Sequence, residues 1–237
     1  MEDKNFLSKI IKEICNENLI PLGVFQKGNS RLYLDDNGYF FTVIEFQPSS
    51  WTIGTYLNIG LTFLWNQSDA LCFAFSRQLA ARYGKFVEYK NEAQFRAELK
   101  KLIKVATEEI LFYRKLRNLK FATKWMCSYA SKYDGGEYQK FSLSLANICL
   151  LNGDTKSAKF YYDKYLSSAD SKGQTVLHNL SIESLLSNIK ATREMWHCKS
   201  SMKKCPFPKF TIISALAFAI YKSKTRVCKF ALRVCTF

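Results

Sequence analysis

Gln47, Ser49, Ser50 and Trp51 fall within five residues of one another, and Tyr56 and Asn58 follow at alternate positions a few residues on. Amides and hydroxyls beside an indole can hydrogen-bond an extended peptide or a small polar ligand while the ring covers it. Glu45 adds a carboxylate, so Glu45, Gln47, Ser49, Ser50, Trp51, Tyr56 and Asn58 form the candidate ligand- or partner-binding set. A plainer arrangement competes: a hairpin loop in which Ser49 and Ser50 cap backbone groups and Trp51 packs on the core.

Groups for catalysis are scarce. The two histidines are His178, between Leu177 and Leu180 in a helical pattern, and His197, beside Cys198. Neighbours on a helix point apart, so His197-Cys198 is no nucleophile–base pair by adjacency. No glycine-rich phosphate loop is present, and the Ser187–Lys190 spacing lacks the motifs that accompany a Ser-x-x-Lys nucleophile. Asp35-Asp36 fits a hairpin turn and Glu108-Glu109 a helix face flanked by Lys104 and Arg114, so both pairs are expected to be exposed charge rather than an acid and a base. Cys15, Cys72, Cys127 and Cys149 lie in apolar periodic segments, as small hydrophobes do. Cys198, Cys205, Cys228 and Cys235 stand in pairs with six residues between partners, wider than the two to four of structural zinc sites. No catalytic residue, metal or cofactor is expected.

The net charge is +15, from 35 basic and 20 acidic residues. Nine of the basic residues follow Glu194, after which no acidic residue occurs, so the body of the chain is only mildly basic. Within that body Lys100, Lys101, Lys104, Arg114, Lys115, Arg117, Lys120 and Lys124 make a basic helical region with Tyr113, Phe121 and Trp125 interleaved, the alternative site if the partner is nucleic acid. The aromatics recur at helical spacing, as core residues do, and the lysines suit a solvated face.

These residues need a sheet and helices to position them. Phe6, Leu7, Ile10, Ile11 and Ile14 form one stripe of a helix over 3–18, ended by Pro21 and Gly23. Short extended segments at 23–27 and 31–34 lead through Asp35-Asp36-Asn37-Gly38 into two strong strands, 39–47 and 54–64, both rich in β-branched and aromatic residues. Aromatics on both faces of 39–47 predict helices over one face of the sheet and something partly polar over the other. Leu71–Phe75 and Lys85–Tyr89 are candidate further strands, 92–113 and 114–133 helices. The fold class is therefore α+β, an antiparallel meander sheet packed against helices, with an all-helical C-terminal extension.

The helix ending in Pro-Leu-Gly, the segment Phe25-Gln26-Lys27-Gly28-Asn29, the strand closing in Gln47-Pro48-Ser49 and the run Tyr56-Leu57-Asn58-Ile59-Gly60-Leu61 together resemble the bacterial domain-of-unknown-function family DUF 4304. The resemblance covers about residues 5–115 and is strongest from Val43 to Leu61. Family members tend to carry a basic or small residue where this chain has Pro48, which implies a stiffer turn here. It implies a compact α+β domain and brings no known activity. Leu145-Ala146 through Gly153-Asp154 to Leu166 resembles a single tetratricopeptide-like helical hairpin, without a second copy at the same period.

Three segments result: an α+β domain over 1–135, a helical extension over 136–198 that ends in a helix from Val176 to about Trp196, and a basic, cysteine-containing tail over 199–237. In the tail, Phe210–Tyr221 would span about 18 Å as a helix, short of the roughly 30 Å of a bilayer core, so membrane contact there would be peripheral. The charged start argues for a cytoplasmic protein with reduced thiols. The expected function is non-catalytic binding of another protein, of a bacterial accessory or immunity type. The alternatives are nucleic-acid binding through the basic helices and an enzyme of unnamed reaction at the Gln47–Asn58 cluster.

Overall fold

The computed structural model describes residues 2–65, 71–130, 137–168 and 181–198. Its centre is a five-stranded antiparallel sheet in sequential order: β1 (Phe25–Gln26), β2 (Leu32–Asp36), β3 (Phe40–Pro48), β4 (Gly54–Phe63) and β5 (Arg82–Glu88). Helix α1 (Glu2–Asn18) precedes it and α2 (Glu92–Arg114) follows, giving the α+β class that the sequence predicts. The Tyr39–Trp65 stretch supplies the two longest strands, paired from Phe40↔Phe63 to Pro48↔Thr55.

Strand periodicity divides the sheet into two unlike faces. Phe40, Ile44 and Phe46 alternate on β3 opposite Phe63, Ile59 and Leu57 of β4, all buried. Ile11, Ile14 and Cys15 of α1 meet Phe46 and, from α2, Leu99 and Ile103, with no space left for a water molecule. Burying each such side chain is worth about 1.5–3 kcal/mol, which makes this the main core. Asn91 starts α2, its side-chain oxygen accepting the Gln94 N–H at 2.9 Å.

The other face carries Phe41, Val43, Glu45 and Gln47 opposite Thr62, Gly60, Asn58 and Tyr56. Segment 71–75, read as a strand from its composition, makes only an isolated bridge, Leu61↔Phe75. Gly60 explains the arrangement, because a Cβ there would lie 2.7 Å from the Phe73 ring and 2.8 Å from the Phe75 carbonyl oxygen. The segment crosses close over a bare strand position, and Thr62 ties it down by donating to the Cys72 carbonyl. The edge of β4 is thus shared, with β5 pairing along Gly54–Asn58.

The helix read as running on from Arg114 is interrupted. A 3-10 turn, Lys115–Arg117, intervenes, and Asn118 then caps α3 (Leu119–Ala130) by accepting the Phe121 N–H at 3.0 Å. The described residues form two compact units that divide at this break: residues 2–114 with 191–198, and those between 115 and 190. The second unit contains α3, α4 (Glu137–Leu151) and α5 (Thr155–Ser168). Within it α4 and α5 follow one another across residues 152–154, with Asp154 capping α5 through the Ser157 N–H at 3.0 Å. The last described helix, α6 (Ile182–Cys198), begins in the second unit and ends in the first. His178, Cys205, Cys228, Cys235 and the whole 199–237 segment lie outside the described residues.

Candidate functional site

Glu45, Gln47, Tyr56 and Asn58 come together on the partly polar face because β3 and β4 pair Glu45 with Asn58 and Gln47 with Tyr56. Asn58 Nδ2 donates to Glu45 Oε2 at 2.9 Å and to Gln47 Oε1 at 2.8 Å. A fifth member completes the row. Arg82 of β5, the register partner of Asn58, donates from Nη2 to Gln47 Oε1 at 2.8 Å and from Nε to Asn58 Oδ1 at 3.4 Å. Its guanidinium lies 3.8 Å from the centre of the Tyr56 ring, and Tyr56 packs on Phe86 at 4.8 Å.

Both Asn58 amide hydrogens are therefore spent, and the Gln47 oxygen accepts two donors, its full lone-pair capacity. A ligand seeking those atoms would have to displace charge-assisted bonds. The row serves first to clamp β3, β4 and β5. Sequence reading missed Arg82 because the fifth strand was read from Lys85, whereas it begins at Arg82; the alternation of Arg82, Tyr83, Gly84 and Lys85 gave little apolar signal for an edge strand.

Ser49, Ser50 and Trp51 are not part of that row. They occupy the loop between β3 and β4, where Ser49 Oγ accepts the Trp51 and Thr52 N–H groups at 3.1 and 3.3 Å. Ser49 thus caps the loop as the plainer arrangement requires, but Trp51 does not pack on the core. It is 94% exposed, and Ile53 beside it is 42% exposed.

The pair Asp35-Asp36 departs furthest from expectation. Both belong to β2 and both are buried, not exposed turn charges. Asp35 points to the α1/α2 side, where Arg114 Nη2 reaches its Oδ1 at 2.6 Å and the Leu22 carbonyl at 2.5 Å. This removes Arg114 from the proposed nucleic-acid surface. Asp36 points to the opposite face. Its Oδ2 accepts Arg193 Nε at 2.5 Å and His197 Nε2 at 2.7 Å, and its Oδ1 accepts the Gly38 N–H at 2.9 Å. Burial alone would raise the Asp36 pKa, but the His197 and Arg193 partners and the Gly38 N–H together hold it below the usual carboxylate range. An ionised carboxylate only accepts, so His197 Nε2 carries the hydrogen of that bond. The His197 ring packs on Phe25 at 4.6 Å, and Lys27 Nζ sits 4.3 Å from the centre of the Trp196 ring. Arg193, Trp196 and His197 share one face of α6 at helical spacing, and this face anchors the helix end to β1 and β2.

Glu109 is likewise engaged rather than solvated. It accepts Arg77 Nη1 at 3.0 Å and the Tyr83 hydroxyl at 2.9 Å. Of the remaining basic candidates, Lys100, Lys101, Lys104, Lys115, Arg117, Lys120 and Lys124 are exposed, and Lys101 is paired with Glu98 at 2.6 Å. The first three belong to the first unit and the last four to the second.

Among the described residues no group of histidine, cysteine and carboxylate side chains is placed to hold a metal ion, and no helix is long and apolar enough to cross a membrane. No protein-family model, no curated protein and no solved structure matches the chain.

Proposed function

We propose that this is a non-catalytic protein-binding protein that engages its partner through the tip of the β3–β4 hairpin. The observation that carries the reading is Trp51, held almost fully in solvent on a loop that Ser49 caps, with Ile53 beside it. A tryptophan is costly to leave exposed and is the residue type most enriched at the energetic centres of interfaces. The clamp formed by Glu45, Gln47, Asn58 and Arg82 stiffens the strands beneath it, so little ordering is required when a partner covers the ring. On this reading the DUF 4304-like domain supplies the hairpin, the setting is the bacterial cytoplasm, and the role is of the accessory or immunity type.

Nucleic-acid binding has weaker footing, because Arg114 is committed to Asp35 and Lys101 to Glu98. The test is purification of the tagged protein from the organism that encodes it, with nuclease, beside a Trp51→Ala variant. A stoichiometric protein partner that survives nuclease and is lost in the variant, with the unfolding midpoint unchanged, supports the reading. A partner retained by the variant, or material that disappears with nuclease, overturns it.

A further inference from the structure

The second unit holds two nucleophilic side chains that binding through the hairpin tip leaves unused. Cys127 comes from α3 and Cys149 from α4, helices that pack against each other. Their side chains share a hydrogen bond, and the Tyr161 side chain of α5 bonds to Cys127 as well. Both cysteines are free thiols. A disulfide requires two cysteines on facing elements with their side chains directed at each other, and a thiol–thiol hydrogen bond between packed helices is that arrangement before oxidation.

The two thiols are not alike. Cys127 is half-buried, within reach of a small solute, whereas Cys149 is 0% exposed. The Cys149 S–H donates to Cys127 and, with Tyr161, lowers the Cys127 pKa against burial and the Asp154 carboxylate, which oppose ionisation. The same bond, and then burial, raises that of Cys149. The thiolate, which is the reactive form, is thus favoured on the accessible member, and the protonated member lies behind it. Thiols that sense oxidants have this build, an accessible thiolate beside a second cysteine that resolves it.

We infer that hydrogen peroxide converts Cys127 and Cys149 into a reversible disulfide, Cys127 reacting first and Cys149 resolving it, so that oxidation ties α3 covalently to α4. The Cys127 thiolate attacks one peroxide oxygen. The O–O bond breaks, the other oxygen leaves as hydroxide, and the sulfur, oxidised by two electrons, becomes a sulfenic acid. That hydroxide takes the Cys149 proton and becomes water. The Cys149 sulfur then attacks the Cys127 sulfur and the S–O bond breaks. Its electron pair leaves with hydroxide, which takes up the proton first lost by Cys127. Two thiols and one peroxide thus give one disulfide and two waters. A dithiol reductant reverses the bond by exchange and is itself oxidised.

The experiment treats the reduced full chain with a small molar excess of hydrogen peroxide at neutral pH, blocks remaining thiols with N-ethylmaleimide in urea, and digests with trypsin without reduction. Trypsin places Cys127 in peptide 125–132 and Cys149 in peptide 141–156, neither with another cysteine. The expected product is these two peptides joined, in a yield that does not change with protein concentration and is lost on adding dithiothreitol. Cys149→Ala should leave Cys127 as a sulfenic acid that dimedone traps. Cys127→Ala should slow oxidation of Cys149 at least about tenfold, because the accessible thiolate is gone. The cross-link is read in the unaltered protein, so the test stands even where a variant fails to fold. Cys127 oxidised beyond sulfenic acid while Cys149 is still blocked as a thiol would overturn the inference. So would peptide 125–132 joined to a different cysteine, the exposed Cys72 oxidised while Cys127 is untouched, or Cys149 oxidised at an undiminished rate in Cys127→Ala.

Discussion

Asp36 on β2 and His197 near the end of α6 are 161 residues apart in the chain and 2.7 Å apart in space. With Arg193 on the same oxygen, this contact fixes the end of the last described helix to the sheet, and the carboxylate is only 5% exposed. A buried carboxylate with a guanidinium and an imidazole on one oxygen is costly to assemble and more costly to break, because removing one partner strands the others.

Asp36→Asn is therefore expected to destabilise the protein by about 3–5 kcal/mol, the range for breaking a buried ion pair from one side. The amide keeps the shape but removes the charge that Arg193 Nε and His197 Nε2 face. Urea unfolding of the two proteins at neutral pH measures the difference. A shift below about 0.5 kcal/mol, the range of ordinary surface substitutions, would show that the helix end is not held by this contact.

The pH dependence follows from the same carboxylate. Its folded pKa is depressed relative to the unfolded chain, so its contribution is fully present above the ordinary aspartate value of about 4 and is lost as pH falls through the lower folded value. The stability gap between wild type and Asp36→Asn should close as pH falls below about 4. Urea midpoints taken pairwise across that range isolate Asp36 from the other carboxylates, which titrate in both proteins. A gap that failed to close as the pH was taken well below about 4 would contradict the assignment.

Gly60 offers a packing test. An alanine Cβ would press on the Phe73 ring at 2.7 Å and the Phe75 carbonyl at 2.8 Å, and the carbonyl cannot yield without disturbing the bond it accepts from the Leu61 N–H at 2.7 Å. Gly60→Ala should cost about 1–3 kcal/mol as overpacking, seen as a lower urea midpoint at unchanged slope. An unchanged midpoint would mean that segment 71–75 does not lie close over β4.

The long strands and α1 were legible because their patterns are local. Leu57, Ile59, Leu61 and Phe63 alternate, and Leu7, Ile10, Ile11 and Ile14 keep helical spacing, whatever the rest of the chain does. Asp35 and Asp36 were misread because what buries them is not local: Arg114 lies 79 residues away, and Arg193 and His197 lie 157 and 161 residues away. Without those partners two adjacent aspartates before Asn-Gly belong in a turn. The candidate site was half legible. Strand alternation placed Glu45, Gln47, Tyr56 and Asn58 on one face, but Arg82 enters through a β4–β5 register that periodicity does not encode. Trp51 shows the converse limit, since composition says that a tryptophan should be covered and not whether this chain covers it.

In the second unit Cys127 of α3 and Cys149 of α4 share a side-chain hydrogen bond, and neither forms a disulfide. The Cys149 S–H donates to the Cys127 sulfur, and with the Tyr161 hydroxyl it lowers the Cys127 pKa against the opposing effect of burial. The same bond, with burial, pushes Cys149 up. One thiolate is thus favoured and its neighbour is kept protonated. Cys15, buried under the sheet, is pushed up to about 12. Because the thiolate is the reactive form, limited iodoacetamide treatment at pH 7 with peptide mapping should label Cys127 well before Cys15 and Cys149. Cys149→Ala removes the donor and should slow labelling of Cys127 on the order of tenfold, through a smaller thiolate fraction. Tyr161→Phe should slow it as well, since the Tyr161 hydroxyl also favours the Cys127 thiolate. Labelling of Cys127 at the same rate in the Cys149→Ala variant would show that accessibility, and not the neighbouring thiol, sets its reactivity.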